Sequence, residues 1–279
     1  MLKTNAVQFR GIENWVKEIL SAQLIEKDQS VCELYSRGSD IGKWQRCGCA
    51  HYYVVEPNED FKNEAVKKWT EKKKPFKSAK FLCLNPCTSD FTRPIKDAVS
   101  DSMDKIFPFG GMACFGSNIE RSFSSEESAK TFFSNCASIT KPGGYFFGYM
   151  LDSSVAWTRA QKLLSQMSEQ AQSQQSKITV KGELYQLVLD RNFENYTLSV
   201  DGEKDFQSGV LIKFPVLSRI AKEYGFDVIS LANWHEFFED FKNVYWEQLE
   251  GYQVKGVVSA KEMELVGLMA IFILQRKNK

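Results

Sequence analysis

The chain has 279 residues and a formal net charge of +1, with 43% hydrophobic and 25% charged residues, which is an ordinary composition for a globular protein. This balance provides no overall field that would draw the protein onto nucleic acid or membrane, and no apolar run reaches the about 18 residues of a spanning helix. The N-terminal residues lack the apolar region of a signal peptide, and the seven cysteines are scattered and odd in number, so we expect an intracellular protein, nuclear or cytoplasmic, with reduced thiols.

The cysteines and the two histidines do not indicate a metal site. Structural zinc sites commonly use CxxC pairs, with two residues between the ligands, together with further cysteines or histidines. The nearest pairs here have one and three intervening residues, and they are Cys47 with Cys49 and Cys83 with Cys87. We therefore expect buried or inert cysteines and no bound metal, with His51 and His235 in packing or local hydrogen bonds.

The first half of the chain alternates helical and strand patterns. Ile12, Trp15, Val16, Ile19 and Leu20 follow the spacing of an amphipathic helix. Apolar runs bounded by turn residues predict strands at 30–34, 51–55, 79–84, 111–115 and 144–150. Asn58 is placed to cap a helix that continues to about residue 73, and Ser125 opens another helix before the fifth strand. This alternation indicates βαβ units and a mainly parallel sheet.

The second half departs from that pattern. A helix is predicted from 155 to about 170, followed by a Gln/Ser-rich stretch, and residues 178–200 alternate as strands do, with a hairpin signal at Asp201-Gly202. A helix at 216–224, a strand at 226–230, an aromatic-rich helix at 235–249 and a strand at 267–274 follow. We predict one α/β domain over residues 1–279, with a Rossmann-like seven-stranded sheet and a β-hairpin insertion at about 176–213.

Several segments, in order along the chain, carry a family resemblance. The most informative reads Lys-Pro-Gly-Gly-Tyr-Phe-Phe-Gly-Tyr-Met-Leu-Asp-Ser-Ser at 141–154. Others are Asn-Trp-Val-Lys at 14–17, Asp-Ile-Gly-Lys-Trp at 40–44, Ser-Glu-Glu-Ser-Ala at 125–129, Phe-Pro at 214–215 and Ala-Lys-Glu-Tyr-Gly at 221–225. This ordered set resembles the mRNA cap guanine-N7 methyltransferases, and among them the shorter, divergent cap methyltransferase-like proteins. The resemblance implies a class I methyltransferase fold.

The resemblance implies S-adenosylmethionine as the cofactor and positions that would hold it. In the family, a glycine-rich loop after the first strand lets the backbone approach the methionine part of the cofactor. Most of those glycines are absent from residues 33–40, and Arg37 in this loop would either block the cofactor or replace a family lysine. The candidate cofactor-binding residues are Lys17, Glu33, Gly38, Asp40, Glu56 and Asn85, with Glu56 at the ribose and Asn85 at the adenine. A solvated strand-end carboxylate and a helix-surface lysine are the alternatives for Glu56 and Lys17.

The positions that would bind the guanine base depart from the family. Guanine N7 is itself a nucleophile, so transfer needs proximity and in-line geometry rather than a general base. The family segment Gln-Phe-x-x-His-Tyr reads Gly-Ser-Asn-Ile-Glu-Arg at 116–121, and Gly209, Met269 and Glu13 replace a family Glu, Tyr and Asn. These changes remove stacking and hydrogen-bonding groups for a base. We therefore predict no catalytic residue, and the substrate-binding residues stay unassigned.

Two further features each have two interpretations. Seven lysines between 67 and 80 would either meet RNA phosphates or form a solvated helix end that complements the helix dipole. The aromatic segment 234–246 would either pack onto the sheet or present a docking face for a partner.

Two functional hypotheses follow. The first is an active S-adenosylmethionine-dependent RNA cap guanine-N7 methyltransferase, or a relative that acts on another substrate. The second, which we favour, is a catalytically degenerate methyltransferase-fold protein that acts as a structural or complex subunit. Under the second hypothesis there is no cofactor. A protein partner or larger assembly, or RNA, is the expected partner, and a membrane is not.

Overall fold

The computed structural model describes residues 6–100, 106–168, 175–203 and 206–278. Its α-helices are α1 (Val7–Leu24), α2 (Ile41–Arg46), α3 (Glu59–Glu71), α4 (Thr92–Ser100), α5 (Glu126–Ile139), α6 (Ser153–Leu164), α7 (Phe214–Glu223), α8 (Trp234–Phe241), α9 (Trp246–Gly251) and α10 (Ala260–Val266). A 3₁₀-helix spans Asn118–Phe123. Among these described segments, no helix has the length and apolar character needed to cross a membrane.

The strands are β1 (Ser30–Leu34), β2 (His51–Val55), β3 (Ser78–Leu82), β4 (Phe109–Cys114), β5 (Thr140–Leu151), β6 (Lys177–Lys181), β7 (Tyr185–Asp190), β8 (Asn195–Val200), β9 (Gln207–Val210), β10 (Phe226–Asn233) and β11 (Met269–Arg276). Seven of them form one sheet in the order β10-β11-β5-β4-β1-β2-β3. β1 pairs in parallel with both β2 and β4, so their carboxyl ends lie at one edge of the sheet. The predicted α/β fold with a seven-stranded sheet is confirmed.

The chain divides into two compact units. The first comprises Met1–Val16, Met150–Phe214 and Ala232–Ile271, and the second comprises Lys17–Tyr149, Pro215–Leu231 and Phe272–Lys279. The larger part of the seven-stranded sheet belongs to the second unit, and the four-stranded sheet β6-β7-β8-β9 belongs to the first. A single domain over residues 1–279 stays a prediction.

Side-chain caps explain where several helices begin. The Asn58 side chain accepts a hydrogen bond from the Phe61 amide, and the Ser125 side chain accepts one from the Ser128 amide. Asp152 accepts hydrogen bonds from the amides of the next helix, α6. Each cap satisfies an amide that has no partner inside its own helix. The predicted starts of α3 and α5 follow from these short polar side chains.

The Pro-Gly-Gly segment at 142–144 forms a bulge within a strand rather than a turn before one. The β4–β5 register moves from Phe109 opposite Thr140 to Gly111 opposite Tyr145, so β5 carries extra residues at this point. Gly143 takes a φ of +74°, which glycine adopts without strain. Strand β5 therefore begins at Thr140, earlier than the predicted 144.

The core of the second unit is an aromatic cluster around β5. The Phe146 ring centroid lies 5.3 Å from that of Phe272, 5.8 Å from Phe132 and 6.3 Å from Phe226. All four side chains are fully buried. Aromatic pairs at such spacings contribute about 0.5–1.5 kcal/mol each beyond their buried area. The apolar run of 144–150 therefore provides the centre of the unit.

The predicted hairpin insertion is present as a four-stranded antiparallel sheet. β6, β7, β8 and β9 pair in sequence order, and β7 alternates buried with more exposed residues as a half-buried strand does. The Asp201-Gly202 signal lies at the turn after β8, where Gly202 has a φ of +79°. Helix α6 ends at Leu164, and the predicted continuation towards 170 partly falls on residues 169–174, outside the described residues.

The aromatic segment forms two helices, α8 and α9, rather than the single helix predicted at 235–249. Phe237 and Phe238 pack edge-on against Trp15, with centroid distances of 5.8 and 5.9 Å. The Trp15 indole N–H donates to the carbonyl of Tyr245 at 3.1 Å, in the segment between the two helices. Most of the aromatic side chains of this segment therefore pack inside the first unit.

Candidate functional site

A cavity of about 200 Å³ lies in the second unit, where β1, β2 and β4 end. Its walls are the loop after β1, the first residue after β2, the segment after β4 and a lysine of α1. The lining residues are Lys17, Glu33, Leu34, Tyr35, Ser36, Arg37, Ser39, Asp40, Glu56, Phe61, Lys68, Phe115, Gly116, Asn118 and Arg121. The structure thus brings Lys17, Glu33, Asp40 and Glu56 to one cavity.

Asp40 is the centre of a buried ion cluster. Its Oδ1 accepts a hydrogen bond from Lys43 Nζ at 2.7 Å, and its Oδ2 lies 3.6 Å from Lys17 Nζ. The Lys17 ammonium is also 5.8 Å from the Phe115 ring centroid and 5.7 Å from that of Tyr149, within the range of cation–π attraction. The side chains of Lys17, Lys43 and Asp40 are 10%, 7% and 3% exposed. Two ammonium groups thus share one carboxylate at the cavity wall.

The Glu33 carboxyl is held by neighbouring side chains. Its Oε2 accepts hydrogen bonds from Trp44 Nε1 at 2.9 Å and from the Tyr52 hydroxyl. Burial raises the pKa of Glu33 from 4.5 to about 7, the negative charge of Asp40 adds to the rise, and hydrogen bonds from Tyr52, Trp44 and Ser36 oppose it. Below pH 7, therefore, the Glu33 carboxyl is protonated in most of the protein molecules.

The loop after β1 contains two residues with left-handed backbone. Gly38 has a φ of +72°, and a Cβ built on it would lie 2.9 Å from the Cα of Ala65 on α3. Gly38 packs against that helix and does not line the cavity. Tyr35 has a φ of +56°, which is uncommon for a residue with a large side chain, and its hydroxyl lies 2.8 Å from Ser122 Oγ. The Tyr35 hydroxyl therefore ties this loop to the 3₁₀-helix that follows β4.

Glu56 already has partners on both carboxylate oxygens. The side chain is fully buried, its Oε1 accepts from the Asn58 amide at 2.9 Å, and Arg121 Nη1 lies 3.5 Å from its Oε2. The Arg121 guanidinium carbon is 4.4 Å from the Tyr35 ring centroid. A cation therefore faces the carboxylate that the resemblance places at the ribose. Arg121 was identified from sequence only as a departure from the family segment, and nothing in the sequence indicated this contact.

Arg37 lies at the cavity wall. Its side chain stacks on Phe61, with the guanidinium carbon 3.3 Å from the ring centroid, and the residue is exposed. Lys68 on α3 also lines the cavity and pairs with Glu64 at 2.7 Å. The lining therefore carries four cationic side chains against three carboxyl groups.

Asn85 lies apart from the other predicted residues. It is exposed, its Oδ1 accepts a hydrogen bond from the Cys87 amide at 3.0 Å, and it does not line the cavity. Its role at an adenine ring stays a prediction.

The positions that would hold guanine have local structural roles. Glu13 in the first unit pairs with Arg10 in the preceding turn of α1. Met269 is 2% exposed, and Gly209 lies in β9 opposite Tyr196. In the second unit, the Asn118 amide donates to the carbonyls of Phe115 at 2.7 Å and Tyr35 at 3.4 Å. These contacts stabilise the fold around each position.

The cavity does not fit S-adenosylmethionine in this structure. Small-molecule sites usually enclose about 300–1,000 Å³, which exceeds the about 200 Å³ found here. Arg121 stands at the carboxylate that would accept the ribose hydroxyls, and Glu33 is engaged by Trp44 and Tyr52. The acidic and basic groups are suited to a polar ligand, but they are engaged by one another, by neighbouring side chains and by a backbone amide.

The sheet order and the polar cavity at the ends of its parallel strands define the class I methyltransferase fold. An S-adenosylmethionine-dependent methyltransferase from Clostridium acetobutylicum shares this fold, with a TM-score of 0.53 and 10% identity over 97% of this chain and 92% of that one. The family model for the mRNA (guanine-N(7))-methyltransferase domain matches residues 3–277, and the chain belongs to this family.

Named relatives support the same assignment. The chain is 28% identical over 262 residues to the mRNA cap guanine-N(7) methyltransferase 2 of Oryza sativa subsp. japonica, covering 89% of this chain and 74% of the relative. It is 24% identical over 264 residues to the protein of the same name in Arabidopsis thaliana, covering 89% and 72%.

Proposed function

We propose that this member of the cap guanine-N7 methyltransferase family does not itself transfer methyl groups and acts as a structural or complex subunit. The observation that carries the proposal is the Arg121–Glu56 contact across the cavity. An acidic side chain after the second strand serves a cofactor only if its oxygens can turn to the ribose. Here one oxygen is bound by a backbone amide and the other faces a guanidinium.

The chemistry of transfer to guanine N7 supports the same conclusion. Such a site contributes mainly alignment, which is worth up to about 7–11 kcal/mol when two reactants are held in attack geometry. Alignment of a base requires stacking surfaces and hydrogen-bond donors or acceptors. The segment 116–121 has no aromatic or imidazole side chain, and Met269 is buried in the core. The means of holding the base are therefore missing from the positions that the family uses.

A single-turnover transfer experiment tests the proposal. The chain in molar excess over GpppG-capped RNA, with methyl-labelled S-adenosylmethionine, should leave the RNA unlabelled. Glu56→Ala is the matched control, because it removes the carboxylate of the cofactor position. Labelled cap produced by the wild type and not by Glu56→Ala would contradict the proposal.

The second candidate is an active S-adenosylmethionine-dependent RNA cap guanine-N7 methyltransferase. It is favoured by the meeting of Lys17, Asp40 and Glu56 at one cavity, as the resemblance requires. The Arg121 side chain is 41% exposed, so it can rotate into solvent without burying a cation. The relatives are named for mRNA caps, and the lysines of 67–80 would then meet RNA phosphates. Binding of S-adenosylhomocysteine by the wild type separates the two candidates.

A further inference from the structure

A second concave surface lies in the first unit, between α8, α9 and the segment that leads to α10. We call it the α8–α9 groove. It measures about 390 Å³, almost twice the cavity described above. Its lining residues are Phe238, Glu239, Lys242, Asn243, Trp246, Leu249, Glu250, Val254, Gly256, Val257, Val258 and Met263. More than half of these side chains are apolar, and no part of the proposed cofactor site belongs to it.

The groove exposes apolar side chains that have no role in the core. Phe238, Leu249 and Val254 form a largely buried floor, whereas Trp246 is 53% exposed and Val257 is 95% exposed. Tryptophan is the residue type most enriched among the energetic centres of protein interfaces. A cluster of exposed apolar side chains beside a groove marks an interaction surface rather than ordinary surface.

The surface around the groove is acidic. Residues 234–263, which include every lining residue, contain six carboxylates and three lysines, a net charge of −3 in a chain whose total is +1. Glu239 pairs with one of these lysines, Lys242, at 2.6 Å. Within the described parts of the chain, Glu250 at the groove and Glu247 beside it make no side-chain hydrogen bond or ion pair. The groove therefore combines an apolar floor with carboxylates that are available to a cation.

We propose that the α8–α9 groove binds a basic amphipathic helix of a partner protein. The apolar face of such a helix would cover Trp246 and Val257, and its lysine or arginine side chains would meet Glu250 and Glu247. An amphipathic helix laid into a hydrophobic groove is a recurrent mode of peptide recognition. The proposal that a partner protein binds here rests on the proposed subunit role. Its test measures peptide binding and involves neither the cofactor nor methyl transfer.

The test uses the full chain and a fluorescent helical peptide of about 14 residues, roughly four turns, in which leucines form one face and lysines the other. The matched peptide replaces each lysine with glutamate. Fluorescence anisotropy should detect saturable binding of the lysine peptide and none of the glutamate peptide. Trp246→Ala should weaken binding roughly tenfold or more, as removal of an interface tryptophan does. Glu250→Lys should weaken it severalfold and reduce its salt dependence.

Two control variants match these changes. Trp157 on α6 is 52% exposed and does not line the groove, so Trp157→Ala should leave the affinity within twofold of the wild type. Glu183 lies exposed in the turn between β6 and β7, and Glu183→Lys should have an equally small effect. Equal binding of the two peptides, or equal losses in Trp246→Ala and Trp157→Ala, would overturn the proposal. A self-association that Trp246→Ala abolishes and the lysine peptide does not displace would also overturn it, since a second copy would then cover the groove.

Discussion

Replacement of Glu33 by glutamine should remove a specific pH dependence of stability. In the unfolded chain the Glu33 carboxyl ionises near its ordinary pKa of 4.5, whereas in the folded protein it holds its proton up to about 7. The folded state therefore binds more protons between these two values, so the free energy of unfolding falls as pH rises through this window and levels off above it. At about 1.4 kcal/mol for each pKa unit, the rise from 4.5 to about 7 corresponds to roughly 3 kcal/mol.

Glutamine retains a carbonyl that can accept the hydrogen bond from Trp44 or Tyr52, and it carries no charge to bury. The Glu33→Gln variant should therefore match the wild type near pH 4 and exceed its stability by up to about 3 kcal/mol near pH 8. Urea unfolding followed by tryptophan fluorescence at several pH values measures the difference. Glu183→Gln, at an exposed turn, is the control and should follow the wild-type curve.

The outcome that would refute the reasoning is an unchanged difference between wild type and Glu33→Gln across this pH range. A wild type that gains stability relative to the variant as pH rises would refute it more strongly. An unchanged difference would mean that folding leaves the pKa of Glu33 at its value in the unfolded chain, whereas a gain by the wild type would mean that the folded protein stabilises the ionised carboxylate. The hydrogen bonds from Trp44 and Tyr52 would then not describe its role.

Three further variants test the loop and the cavity. Gly38→Ala should lose about 2–5 kcal/mol in urea unfolding, because left-handed backbone costs about 1–2 kcal/mol and contact with the Ala65 backbone adds about 1–3 kcal/mol. Gly256→Ala, where φ is +66° and the space is open, should lose only about 1–2 kcal/mol, and equal losses would contradict the contact. Asp40→Asn should lose about 3–5 kcal/mol in the same assay, since two buried ammonium groups lose their carboxylate, and a loss under 1 kcal/mol would contradict the cluster. Arg121→Ala should bring S-adenosylhomocysteine binding into the measurable range of calorimetry, because the substitution frees Glu56 and widens the cavity. A variant that shows no more binding heat than the wild type would mean that Arg121 does not prevent cofactor binding.

The sequence predicted the strands, the capped helices and the edge of the sheet where the site lies. The apolar runs ending at Leu34 and Val55 carried that information because parallel strands place their carboxyl ends together. The early start of β5 was not predictable, since a proline and two glycines read equally well as a turn or as a bulge. The division of the aromatic helix into α8 and α9 likewise depends on packing, in which Trp15 bonds to the backbone between them.

The family resemblance predicted that Lys17, Asp40 and Glu56 bind a cofactor, and the structure shows that all three line one cavity. Their role at a cofactor stays a prediction, and their contacts with neighbouring side chains could not be predicted from the sequence. Which side chains contact Arg121 depends on the tertiary fold, because Glu56 and Tyr35 are both distant from it in sequence. No local sequence pattern indicates either contact. The same holds for Glu33, which matches the family's acidic position while its carboxyl is engaged by Trp44 and Tyr52. A motif identifies ancestry, whereas the partners of its side chains decide what the motif can bind.

The most direct test of the central claim is a calorimetric titration of the wild-type chain with S-adenosylhomocysteine and S-adenosylmethionine. The claim that Arg121 and the buried hydrogen bonds close the cofactor position predicts no binding heat for either ligand at concentrations of about 1 mM, which corresponds to a binding free energy weaker than about −4 kcal/mol. A wild-type dissociation constant of about 1 μM, lost in Glu56→Ala, would contradict that claim and favour the active methyltransferase.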